Sequence, residues 1–158
     1  GGGMVAHIGV SLLAFGFIAS TSFSEEGEFQ LRPGEVGSVA GHQIRFVQLT
    51  DEMDGPNRVV RAQIEVEGRG IYAPAITQYP TFGRPIATPS VATSLVDDVY
   101  LSLVAIPEEN SDVVVVRVIV EPLVGWIWLG GFVIATGTVL AIVPDRRKRH
   151  SEMEDIVA

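Results

Sequence analysis

The chain has 158 residues, 47% of them apolar, a formal net charge of −8 and no cysteine. That composition excludes a disulfide framework, a thiolate nucleophile and a cysteine metal site. The acidic balance argues against nucleic acid or anionic lipid as the partner. The apolar residues gather at the two ends around a polar middle, and the middle carries the charge: residues 24–121 hold 15 acidic and 7 basic side chains. The four acidic and four basic residues from Asp145 onward cancel.

The first element is GGGMVAHIGVSLLAFGFIASTSFS, residues 1–24, which has no acidic or basic side chain apart from His7. It predicts a spanning helix from about Met4 to Ser22, long enough for a hydrocarbon core of roughly 30 Å. No basic stretch precedes it, so it does not read as a cleavable signal. The opening Gly-Gly-Gly suggests a piece of a longer protein. Gly9 and Gly16 are seven apart and share a face, the kind of small-residue face on which membrane helices approach closely.

Over residues 25–121 the period changes to two. Strands are predicted at 28–32, 43–49, 59–67, 71–77, 98–104 and 113–120, separated by turns such as Pro33-Gly34, Gly41-His42 and Asp54-Gly55-Pro56-Asn57. Residues 79–89, with three prolines and a glycine, predict a loop. Short strands at this spacing predict an all-β domain, a small sandwich or open barrel.

Residues 122–144 contain no charged residue and predict a second span. Trp126 and Trp128 mark one end, where amphipathic rings favour the headgroup layer, and Arg146, Arg147, Lys148 and Arg149 mark the other. A basic cluster beside a span stays cytoplasmic. The C-terminal tail, 145–158, and Gly1 are therefore expected inside, and the β-domain outside. The fold class is a membrane protein of α+β type, two transmembrane helices flanking an extracytoplasmic all-β domain. Gly130 and Gly137 repeat the seven-residue spacing, so the spans look built for a helical bundle.

His7 is the residue singled out for chemistry. An ionisable side chain inside an apolar span is costly and points to function, and neutral imidazole is a common ligand of haem iron. From pattern alone, an imidazole hydrogen-bonded near the interface stands ahead of a ligand. His42, at a Gly-His turn, reads as a surface residue, and His150 as part of a solvated tail. Asp97 and Asp98 invite a paired-carboxylate reading, but neighbours on a strand point to opposite faces, so they read as the start of a strand. Trp126 and Trp128 could stack on a flat apolar ligand; an aromatic belt is the plainer role. No nucleophile elbow, phosphate-binding glycine loop or zinc spacing is present, and no catalytic residue is assigned.

At both ends the sequence resembles the CcmF-type haem lyases of bacterial cytochrome c maturation. GGMVAHIGVSLLAFGFIAS resembles the start of the family's penultimate helix, with its Ala/Gly-His-x-Gly core, and EPLVGWIWLGGFVIATGTVLAIVPDRRKR resembles its last helix with Trp-Ile-Trp, paired glycines and a basic end. PGE at 33–35, GPN at 55–57 and DVYLSL at 98–103 fall in the family's order between them. The resemblance departs at APAITQYPTFGRP, where the family carries Glu-Lys-Arg, at Glu121, where it carries Lys, and at Gly125, where many members carry Arg. The resemblance implies the C-terminal piece of a multi-pass protein of the bacterial inner membrane. Such proteins take haem from a haem chaperone and promote its thioether attachment to the CxxCH thiols of apocytochrome c, alongside other maturation subunits of the membrane. It also implies a b-type haem (haem b) in the membrane held by two histidines. One of these matches His7, with Gly9 giving room for the porphyrin, and the other lies upstream. Trp126 and Trp128 become candidate haem-side aromatics on the external face.

The resemblance puts the ligand role of His7 first. The fragment alone is expected to be inactive, because the second ligand and the haem-handling segment are missing. The alternative from another class is a two-span, non-catalytic scaffold or receptor whose β-domain binds a protein outside the membrane.

Overall fold

The computed structural model describes residues 2–108 and 111–142, so the basic cluster 146–149, His150, Pro144 and the tail lie outside the described residues. The chain divides into two units, a helix pair (described over 2–17 and 126–142) and a β-domain (18–125).

The helix pair is made by α1 (Gly2–Ser22) and α2 (Val124–Ile142). Neither holds an Asp, Glu, Lys or Arg, and at 21 and 19 residues they are ~30 Å long. Only 17% and 11% of their apolar windows are buried, so these faces are not the core of a water-soluble domain. They are membrane helices. The pair is antiparallel and meets through glycine: Gly9 lies against Ile134 and Gly130, Gly16 against Trp126 and Ile127, and Gly137 against Ala6. A Cβ added at Gly9 would stand 2.7 Å from the backbone nitrogen of Ile134, and one at Gly130 would stand 2.6 Å from that of Leu13. Neither leaves room for a side chain, which is why the seven-residue glycine spacing recurs on both helices.

The β-domain has one four-stranded sheet in the order β1 (Glu25–Leu31), β10 (Val114–Pro122), β9 (Asp97–Leu103) and β8 (Ser90–Thr93). The second sheet runs β2 (Val36–Val39), β3 (His42–Asp54), β4 (Asn57–Val66), β6 (Ala75–Gln78) and β7 (Pro85–Thr88), with β5 (Gly70–Tyr72) also paired to β4. All pairings are antiparallel. The facing sides interleave Ile44, Phe46, Ile64 and Val66 with Val99, Leu101, Val116 and Val118 in one buried core. The result is a β-rich half-barrel.

Period-two alternation found the long strands because each has one face in that core. Strict alternation would send Leu49 away from Phe46, yet both pack on the core. A bulge between Phe46 and Gln48 restores the facing. The stretch expected as one strand at 71–77 is two, β5 and β6, both on β4. Pro74 interrupts them, having no N–H to give, and its carbonyl still accepts from Ala62 N at 3.1 Å. Residues 79–89 are not all loop. Pro85–Thr88 forms an edge strand, with Pro85 at its first position, where a missing donor costs nothing. The four-residue strands β2 and β8 also went unpredicted.

Candidate functional site

His7 sits on α1 with its side chain exposed and its Nδ1 2.7 Å from the carbonyl oxygen of Gly3, one turn earlier. A carbonyl only accepts, so Nδ1 carries a proton, and in the neutral ring the lone pair is left on Nε2. This is the tautomer a metal-binding imidazole needs, with the ring oriented by a backbone acceptor behind it.

Gly9 does not share that face. Two residues along a helix is a turn of about 200°, and the Gly9 carbon faces Ile134 of α2. The room assigned there to a porphyrin is therefore filled by the second helix, and the close approach at Gly9 is between helices. Trp126 meets Phe15 edge to face, ring centres 6.5 Å apart, while Trp128 is 78% exposed and points elsewhere around α2. The tryptophans and His7 are not brought together. Ala6 lies level with Gly137, roughly 15 Å along α2 from the tryptophans.

The β-domain contains a polar cluster that sequence reasoning missed. His42 is not a free surface histidine: its Nε2 is 2.8 Å from Asp97 Oδ2, and the side chains are only 19% and 16% exposed. The Arg69 guanidinium pairs with Asp97 Oδ1 and also donates to the carbonyls of Ala92 (2.9 Å) and Asp97 (3.2 Å). Ser94 Oγ donates to the Asp97 carbonyl at 2.7 Å. The partners come from different hairpins. His42 follows the Ala40-Gly41 turn, whose positive φ values of 48° and 79° make it the tight type that joins β2 to β3. Arg69 ends the β4–β5 connection, and Asp97 opens β9 in the other sheet. Burial pushes the Asp97 carboxyl up, but the hydrogen bonds from Arg69, His42 and Ser94 and the Arg69 charge outweigh it, so its pKa lies below the usual carboxylate value.

Chemically this cluster is a latch between sheets. Both Asp97 carboxylate oxygens are engaged, Oδ1 by Arg69 and Oδ2 by His42. Among the described residues, no group of three His, Cys, Asp or Glu side chains could hold a metal ion. The pair Asp97-Asp98 opens a strand, as its sequence position suggests; Asp98 accepts from Ser94 N at 3.3 Å.

No protein-family model matches the chain. It is 32% identical over 155 residues to the cytochrome c-type biogenesis protein CcmF of Haemophilus influenzae, covering 95% of this chain and 23% of that protein. It is likewise 32% identical over 158 residues to the CcmF of Escherichia coli, covering 94% and 24%. A solved structure of the cytochrome c haem lyase CcmF superposes with a TM-score of 0.70 at 23% identity, over 90% of this chain and 24% of that one, which establishes the fold. The chain spans about a quarter of the length of the curated relatives it matches. In sequence and in fold, along nearly its whole length, it is related to the C-terminal region of the CcmF-type cytochrome c biogenesis proteins.

Proposed function

We propose that the chain forms the C-terminal part of a cytochrome c haem lyase. In this reading His7 is one axial ligand of a b-type haem in the membrane, and the β-domain stands on the outer face of the bacterial inner membrane. The observation that carries it is the setting of His7: an exposed imidazole on an uncharged, span-length helix, its Nδ1 bonded to the Gly3 carbonyl and its Nε2 left free to face a ligand. A histidine with no such task would be a costly occupant of an apolar span.

Bound there, a haem would supply redox chemistry or a structural prosthetic group. The residues present fit one side of it. His7 would hold the iron, the Gly3 carbonyl would keep the ring's orientation and basicity, and the glycine-packed α2 would fix the position of α1. The second ligand would come from the rest of a longer protein. Trp126 and Trp128 would serve the outer end of the helix, as an aromatic belt or as a platform for haem in transit. Haem chaperone, apocytochrome c and the other membrane subunits of maturation would be the partners. The thioether-forming step would be the work of the assembled lyase, of which this chain would be one part.

The test is an absorption spectrum of a protein of the relatives' full length carrying this chain, purified in detergent, with and without His7→Ala. Sharp reduced bands of a six-coordinate b-type haem, lost or weakened in the variant, are expected. Identical haem spectra would remove His7 from the site. No haem in either protein would favour a non-catalytic scaffold.

A further inference from the structure

The turn between β8 and β9 presents two apolar side chains outward: Leu95 is 86% exposed and Val96 66%. It is no loose loop. Ser94 Oγ accepts from Val96 N at 3.2 Å and from Asp97 N at 3.1 Å, and Ser94 N donates to the Asp97 carbonyl at 3.1 Å. A rigid turn cannot fold a leucine and a valine back onto the domain, so in water this apolar pair would stay hydrated.

Its place along the chain gives the turn a second environment. Leu123 joins β10 to α2 with a positive φ of 60°, unusual for a leucine, and its N–H donates to the Val96 carbonyl at 2.7 Å. Two residues later Gly125 faces the Leu95 backbone so closely that an added Cβ would lie 3.2 Å from the Leu95 carbonyl oxygen. The turn is therefore fastened to the first turn of a membrane helix, one residue before Trp126. Interfacial tryptophans lie at headgroup level, which sets the depth of whatever is bonded beside them.

We infer that the Leu95-Val96 turn inserts into the boundary between lipid headgroups and acyl chains, acting as a third, non-spanning membrane contact of the β-domain. The strained Leu123 linkage holds it at that depth. The contact is apolar rather than electrostatic. Asp97 is turned inward to Arg69 and His42, and Asp98 and Glu121 face each other in the register just beyond, so the turn offers anionic headgroups no attraction. Insertion would fix the tilt of the β-domain over the membrane.

The chain has no cysteine, which makes the test clean. Leu95→Cys, Met53→Cys and Phe132→Cys are each labelled with a nitroxide in the full chain, reconstituted in phosphatidylcholine vesicles. Collision with oxygen, which concentrates in lipid, is then compared with collision with a water-soluble nickel chelate. Met53, 68% exposed near the tip of the β3–β4 hairpin, is the aqueous reference, and Phe132, 71% exposed on α2, is the lipid reference. The label at position 95 is expected to meet nickel several-fold less than that at 53, with oxygen access between the two references. Nickel access equal to position 53 would place the turn in water and overturn the inference. Shielding from both reagents would also overturn it, because protein rather than lipid would then cover the turn.

Discussion

Asp97 shows how one carboxylate can join two sheets. Its partners His42 and Arg69 are 55 and 28 residues away in sequence, and each hangs on the tip of a different hairpin. Removing the carboxylate leaves a guanidinium and an imidazole in a mostly dehydrated site, so Asp97→Ala should cost about 1.5–3 kcal/mol, the range for hydrogen bonds to charged groups. Arg117→Ala, which breaks the exposed pairs with Glu26 and Glu28, should cost under about 1 kcal/mol. Urea midpoints of the full chain in detergent, followed by circular dichroism, separate the two. The pH dependence has a definite sign. The folded pKa of Asp97 is depressed, so its contribution is complete above the unfolded value near 4 and is lost as pH falls through that value towards the folded one. Wild-type stability should therefore decline on acidification below about pH 5, and Asp97→Asn should flatten that decline. An equal decline in both would remove Asp97 from the latch.

At the scale of elements, the two helices make their contact with glycine, and adjacent glycines should behave oppositely. A Cβ at Gly130 would stand 2.6 Å from the Leu13 backbone nitrogen, whereas a Cβ at Gly131 meets nothing within 4 Å. Gly130→Leu should push α1 and α2 from glycine contact towards the ~8–10 Å spacing of helices separated by larger side chains. Gly131→Leu should leave the pair unchanged. Distances between nitroxides at Val10 and Val139, exposed positions on the two helices, would report it; equal distributions in both variants would sink the glycine contact. These helices were readable from the sequence because length and lack of charge are local signals. The long strands were readable because alternation is local too. What stayed hidden depended on pairing: the bulge between Phe46 and Gln48, the edge strand Pro85–Thr88 within a proline-rich stretch, and the His42–Asp97–Arg69 latch. For His7 the sequence showed a costly histidine in a span, but only the three-dimensional structure reveals that Gly3 sets its tautomer and that Gly9 faces the other way.

For the whole molecule, topology follows from the helix pair. Gly9 packs level with Gly130 and Gly16 with Trp126, so the helices run in opposite directions. The segment joining them therefore leaves from one membrane face, and both chain ends from the other. Which face is which rests on charge. Four basic residues at 146–149 follow the second span directly, whereas the joining segment is acidic. Basic flanks are retained in the cytoplasm while acidic ones contribute little to orientation, so the β-domain should be external. Met53→Cys and Ser151→Cys, each in the otherwise cysteine-free chain, give a direct reading with a membrane-impermeant maleimide. In cells with a permeabilised outer membrane, position 53 should react and position 151 should not; disrupting the inner membrane should make both react. The reverse pattern would put the β-domain in the cytoplasm, on the wrong side to meet an exported apocytochrome, and with it the external role proposed for the domain would fail.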